Sequence, residues 1–116
     1  MAELSGEQDK CARVVQSGYK HKCKIKNIFW DLELSDVIEL IFKKCVYCGA
    51  LPSNSCTKTK ENYNGIDRKN NSSGYFKENV VTCCSRCNKI KSNELSYSQM
   101  LQVGEALQKA KFDGSL

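Results

Sequence analysis

Two Cys-x-x-Cys pairs bracket the part of this chain whose side chains could do chemistry. Cys45 and Cys48 form the first (CVYC), Cys84 and Cys87 the second (CSRC). Four thiolates at this spacing complete a tetrahedral zinc shell with no open position, a site that stabilises a fold and does no chemistry itself. Reactive groups are therefore expected in what such a cluster holds together. Between the pairs lies NGIDRKNNSSGYFKENVVT, which is acidic, amide-rich and basic, and Asn88 directly follows the last cysteine.

The totals fit one small α+β domain: 116 residues, 41% of them hydrophobic. No apolar run approaches a membrane span and the first residues have no secretory pattern, so the expectation is a cytoplasmic, reducing setting with no membrane partner. There, eight cysteines favour metal over disulfides. A structural zinc ion would supply on the order of 10 kcal/mol to folding. The net charge is +5, and residues 58–91 carry eight basic side chains against three acidic ones. That imbalance suits a nucleic acid, with Lys69, Lys77, Arg86, Lys89 and Lys91 as candidate contacts.

The elements that must position these groups follow from periodicity. Residues 1–9 read as a frayed end. Cys11, Val15, Tyr19 and Cys23 recur every fourth residue, which predicts a helix over 10–26 with a basic outer face, ended by Asn27. Cys11 and Cys23 are core residues on this reading; the alternative makes them ligands of a second zinc with His21 and Cys56. Trp30, Leu32 and Leu34 alternate as a strand, and Ser35 caps a helix through Lys44. Residues 51–62 form a variable loop. Residues 63–68 and 79–82 read as the strands of a hairpin, followed by a short helix over 84–91 with Cys83 in the core. Ser96 and Gln99 form the capping box of a last helix with Met100, Val103, Leu107 and Ala110 inward, and Gly104 within it signals close packing. The resulting division is 1–44 (basic helix, strand, helix), 45–93 (zinc-bound core) and 94–116 (C-terminal helix).

Two strands and a helix clamped at each end by a Cys-x-x-Cys pair, carrying GIDRKNN, SSGYFKENVV and CCSRCNKIK, resemble the HNH endonucleases of the ββα-metal type, a treble-clef-like fold. The likeness covers residues 45–93. YKHKCKIKNIFWDLELSDVIELI is also similar to the elements before the knuckle in phage and bacterial members, and the C-terminus, from RCNKIKSN to GEALQKA, to that of a rare-cutting restriction enzyme. The resemblance implies a hydrolase that cuts DNA phosphodiester bonds, double-stranded DNA being the expected substrate. It implies a structural role for Asn79 in tying the hairpin loop. Asp67 and Asn88 offer oxygen donors suited to one Mg²⁺ or Mn²⁺ that stabilises the transition-state charge and the leaving group. Lys91, one helical turn after Asn88, is placed to reach a phosphate.

One position departs from the family. Where members usually carry a histidine base directly after the aspartate, this chain has Arg68, which has no acceptor lone pair and suits a clamp on the scissile phosphate instead. Activation of water then falls to His21, Tyr63, Tyr47 or a metal-bound water with no side-chain base. Tyr63 stands roughly 13 Å along the strand from Asp67. A nucleic-acid-binding module without cleavage is the main alternative function, argued by Arg68, and a zinc knuckle for protein contacts is a third. Palindromic double-strand cleavage would need a homodimer, and restriction, homing and other phage roles stay open.

Overall fold

The computed structural model describes residues 6–112. Its first element, α1 (Gly6–Lys26), begins earlier than periodicity alone predicts. Glu7 and Asp9 favour the first turn, and Asp9 accepts from Arg13 Nε at 2.9 Å, so residues 6–9 are helical rather than frayed. Residues 1–5 and 113–116 lie outside the described residues. Cys11, Ala12, Val15 and Cys23 form the buried stripe. Asn27 takes a positive φ of 57°, a conformation asparagine tolerates, and the chain leaves the helix there.

The strand expected over 30–34 is only β1 (Trp30–Asp31), and α2 (Leu34–Ile41) follows at once. Glu33, not Ser35, is its N-cap: the Asp36 carboxylate reaches back to the Glu33 N–H at 2.8 Å. The helix ends at Ile41, so Lys43 and Lys44 lie beyond it. Within the expected loop, β2 (Asn54–Ser55) pairs antiparallel with β3 (Asn62–Tyr63). The single strand expected over 63–68 is broken at Asn64, which is fully buried and donates from Nδ2 to the carbonyls of Lys43 and Ala50. Those bonds pin the loop after α2 to the start of β4 (Gly65–Arg68).

β4 pairs antiparallel with β6 (Val80–Cys83), setting Gly65 opposite Cys83 and Arg68 opposite Val80. Between them the chain makes β5 (Tyr75–Phe76), which lies parallel to β1, and a 3-10 turn (Lys77–Asn79). Then come α3 (Ser85–Lys91), with Cys84 as its N-cap, and α4 (Tyr97–Phe112). The two-strand ribbon separates two cores. One holds Cys11, Val15, Val37, Ile41, Cys56, Ile66 and Val80. The other holds Tyr47, Cys83, Met100 and the four paired cysteines. Among the described residues no helix is long and apolar enough to cross a membrane.

Ser96 and Gln99 cap α4 reciprocally, at 2.8 and 3.1 Å. Further along, Gln108 Nε2 donates to the Tyr47 carbonyl at 2.8 Å, and Gly104 is buried against the Tyr47 backbone, where a Cβ would collide with the carbonyl. Propensity alone would make Gly104→Ala stabilising by about 1 kcal/mol. The rigid neighbour reverses the sign: the substitution is expected to cost a net ~1–3 kcal/mol, read as a lower urea midpoint with unchanged slope.

Candidate functional site

Each Cys-x-x-Cys pair is placed by a local signal. The first follows α2 and turns at Gly49, whose N–H donates to the Cys45 carbonyl at 2.9 Å. The second straddles the start of α3, where Cys84 Sγ accepts from the Cys87 N–H. The four sulfurs are buried and lie within 4.8 Å of one another, with Cys48 and Cys84 3.6 Å apart. Zinc–sulfur bonds of about 2.3 Å place tetrahedral sulfurs roughly 3.8 Å apart, so the cluster could hold a metal such as zinc. Hydrogen bonding to Cys83 draws the Cys45 thiol down to about 4, whereas burial and the Cys45 charge push Cys87 up. Four such thiols ionise together only beside a cation. Cys83 is thus the buried partner of a cluster sulfur, and not a fifth member. Cys11 and Cys56 pack in the other core, His21 is exposed, and no second group of three metal-ligating side chains occurs among the described residues.

Asp67, Arg68 and Asn88 line one cavity of about 540 Å³. β4 carries the first two and α3 the third. Asp67 is 7% exposed; its Oδ2 accepts from the Tyr47 hydroxyl at 2.5 Å and its Oδ1 lies 3.5 Å from Lys91 Nζ. Each carboxylate oxygen has a second lone pair left for a cation. Asn88 is exposed and its side chain bonds to no protein group among the described residues, which leaves the amide oxygen free. The donor set, one carboxylate and one amide oxygen, suits a hard divalent ion completed by water or phosphate.

Arg68 Nη1 donates to the carbonyls of Asn71 and Ser73, both at 3.0 Å, and the guanidinium lies 5.3 Å above the Tyr75 ring. Nε and Nη2 remain for a ligand. Asn79 is buried and closes the hairpin, accepting from Asn70 N and donating to the carbonyls of Asn70 and Gly74.

Several expected contacts lie elsewhere. Lys91 is 1% exposed and donates to the Arg68 carbonyl and Asn71 Oδ1, both at 2.9 Å; the helical turn that separates it from Asn88 carries it inward, so it holds the hairpin and does not reach a phosphate. Lys77 pairs with Asp36 at 3.6 Å on the α2 side. Arg86 lies against Cys48. Lys69 sits over the Tyr97 ring in an open cleft that adjoins the cavity through Asn71 and Asn93. Of the five basic residues predicted to touch nucleic acid, only Lys89 lines the cavity.

The expected bases fare similarly. Neither His21 nor Tyr63 lines the cavity; Tyr63 faces another, between α1 and β2, and burial raises its pKa. Burial, then the bond to Asp67, pushes the Tyr47 hydroxyl far above its ordinary range, so it stays protonated and orients the carboxylate. Part of the wall comes from residues that the periodic reading assigned to a helix and its outer face: Tyr19, Lys22 and Lys26 of α1. Residues 19, 22 and 26 share one helical face, but that spacing does not say what the face lies against.

No family model matches the chain. Uncharacterized protein R423 of Acanthamoeba polyphaga mimivirus is 36% identical over 74 residues, 64% of this chain but only 13% of that protein. Among solved structures, the rare-cutting HNH restriction endonuclease PacI superposes with a TM-score of 0.77 at 20% identity, over 99% of this chain and 94% of that one. The likeness therefore extends well beyond residues 45–93 and takes in the flanking helices. This chain has the fold of an HNH endonuclease, built around four cysteines that could hold a metal.

Proposed function

We propose that this protein is a divalent-metal-dependent DNA endonuclease whose fold is clamped by one structural zinc ion at Cys45, Cys48, Cys84 and Cys87. The observation that carries the reading is the shared cavity of Asp67, Arg68 and Asn88, rimmed by the exposed lysines Lys22, Lys26 and Lys89. Mg²⁺ or Mn²⁺, when bound through Asp67 and Asn88, supplies charge stabilisation for the phosphoryl group and its departing oxygen. The side chains do the rest. Tyr47 and Lys91 fix the Asp67 carboxylate from two sides. Arg68 presents its unused N–H groups to non-bridging phosphate oxygens while Tyr75 supports the guanidinium plane. Lys22, Lys26 and Lys89 neutralise flanking phosphates. No imidazole lines the cavity, so the attacking water loses its proton without a histidine base.

Relaxation of supercoiled plasmid with Mg²⁺ or Mn²⁺ tests the activity. Asn88→Ala, at an exposed position, should fold normally and lose cleavage by about 100-fold or more. Wild-type protein that binds DNA but leaves it intact would instead establish the binding module.

Alanine at Lys22, Lys26 or Lys89 should each lower the salt-dependence slope of DNA binding by about one. Lys91→Met should leave that slope unchanged and destabilise folding by ~3–5 kcal/mol, because it strands the buried Asp67 carboxylate. Fluorescence titrations at several salt concentrations and urea melts separate the two classes.

The cleavage rate should climb with pH from 6 to 8.5 without the inflection near about 6.5 that a histidine base produces, and His21→Ala should leave the profile unchanged.

A further inference from the structure

Tyr19 has more than a packing role. Its ring packs in a three-ring cluster with Trp30, at 6.2 Å and 22° between planes, and Tyr75, at 5.6 Å and 59°, whose own centroids lie 5.3 Å apart. Trp30 is itself fixed by its Nε1 bond to the Leu32 carbonyl at 3.0 Å. The hydroxyl oxygen accepts from Ile66 N at 2.9 Å. Among the described residues β4 has β6 as its only strand partner, so this bond lies on its open edge, one residue before Asp67. Gly65 leaves the hydroxyl room: a Cβ there would stand 2.8 Å from it.

The oxygen is therefore engaged, but its proton is not. Among the described residues no group accepts from the Tyr19 O–H. Tyr19 lines the cavity that holds Asp67, Arg68 and Asn88, and also a smaller one of about 100 Å³ formed with Gly65, Ile66 and Asn88. The two cavities share Tyr19, Ile66 and Asn88, and the hydroxyl is bonded to the backbone of one of those shared residues, Ile66. A phenol whose oxygen already accepts a hydrogen bond, whose proton is unclaimed and which lines a cavity with Lys22, Lys26, Arg68 and Lys89 is arranged to give a hydrogen bond to an anion.

We propose that Tyr19 is a further catalytic residue, donating a hydrogen bond from its hydroxyl to a non-bridging oxygen of the scissile phosphate. The inference rests on the nuclease reading. In the reaction a bond forms between the water oxygen and phosphorus, the bond from phosphorus to the leaving oxygen breaks, the attacking water's proton passes to solvent and the leaving oxygen takes one from solvent. Tyr19 keeps its proton throughout and contributes only the stronger hydrogen bond to the charge that builds on the phosphoryl oxygens. Burial raises its pKa well above the ordinary range, which keeps it a donor at any working pH. The Ile66 N–H adds to this, because donation to a phenol oxygen polarises its O–H.

The test uses full-length Tyr19→Phe, which keeps the ring packed against Trp30 and Tyr75, on DNA with a mapped cleavage position and on its two phosphorothioate isomers there. Loss of one preorganised donor should lower kcat by about 100-fold and leave KM within about twofold. Sulfur accepts hydrogen bonds poorly, so the penalty should shrink at least about tenfold for the isomer with sulfur in place of the contacted oxygen, and persist for the other. A purely structural role would penalise all three substrates equally, and that result, or wild-type rates, overturns the proposal. Should Tyr19→Phe not fold, Gly65→Ala, which displaces the hydroxyl without deleting it, should show the same isomer-selective loss, and an equal loss on all three substrates overturns the proposal there too. Absence of cleavage by wild-type protein marks failure of the nuclease reading itself, and full cleavage by Asn88→Ala marks failure of the cation site on which that reading rests.

Discussion

The convergence of four thiols from two segments 36 residues apart is the constraint on which the remaining structure depends. Both candidate cation ligands hang directly from it. The first pair carries Tyr47 between its cysteines, and the Tyr47 hydroxyl reaches Asp67. The second carries Asn88 immediately after Cys87, on the first turn of α3. Bringing the pairs together therefore sets a buried carboxylate and a free amide oxygen against one cavity, and α4 secures the arrangement by packing Gly104 and Gln108 on the Tyr47 backbone. A metal contribution on the order of 10 kcal/mol compares with the whole stability of a domain this size, about 5–15 kcal/mol.

Charge is layered around that frame. Inside, Lys91 faces Asp67 and caps the Arg68 carbonyl, so its ammonium stabilises the hairpin. At the cavity wall, Arg68 divides its donors between the turn at 71–73 and the open space. Outside stand Lys22, Lys26 and Lys89, exposed and, among the described residues, without a carboxylate partner. Inner cations cost stability when removed, whereas on the proposed function outer ones would act through the counterions that a nucleic acid releases. Net charge along the sequence does not separate these layers.

Much of this was legible in the residues. Cysteine spacing identified the cluster, the capping box at Ser96 located α4, and GIDRKNN carried both the hairpin and its resemblance to HNH enzymes. What failed were local choices decided by tertiary partners. Glu33 displaced Ser35 as N-cap because Asp36 could bond back to it. Asn64 split one strand in two because its amide serves the carbonyls of residues 43 and 50. Lys91 turned inward because Asp67 and two hairpin acceptors await it there. Tyr19, Lys22 and Lys26 read as part of a helix, and nothing in their spacing says that this helix lies against the edge of β4.

X-ray absorption at the zinc edge, combined with metal content per chain on protein purified without added metal, tests the central constraint most directly. One zinc ion per chain with four sulfur neighbours at about 2.3 Å is the expected result. Nitrogen or oxygen neighbours in place of sulfur, or a folded protein with no bound metal, would contradict it.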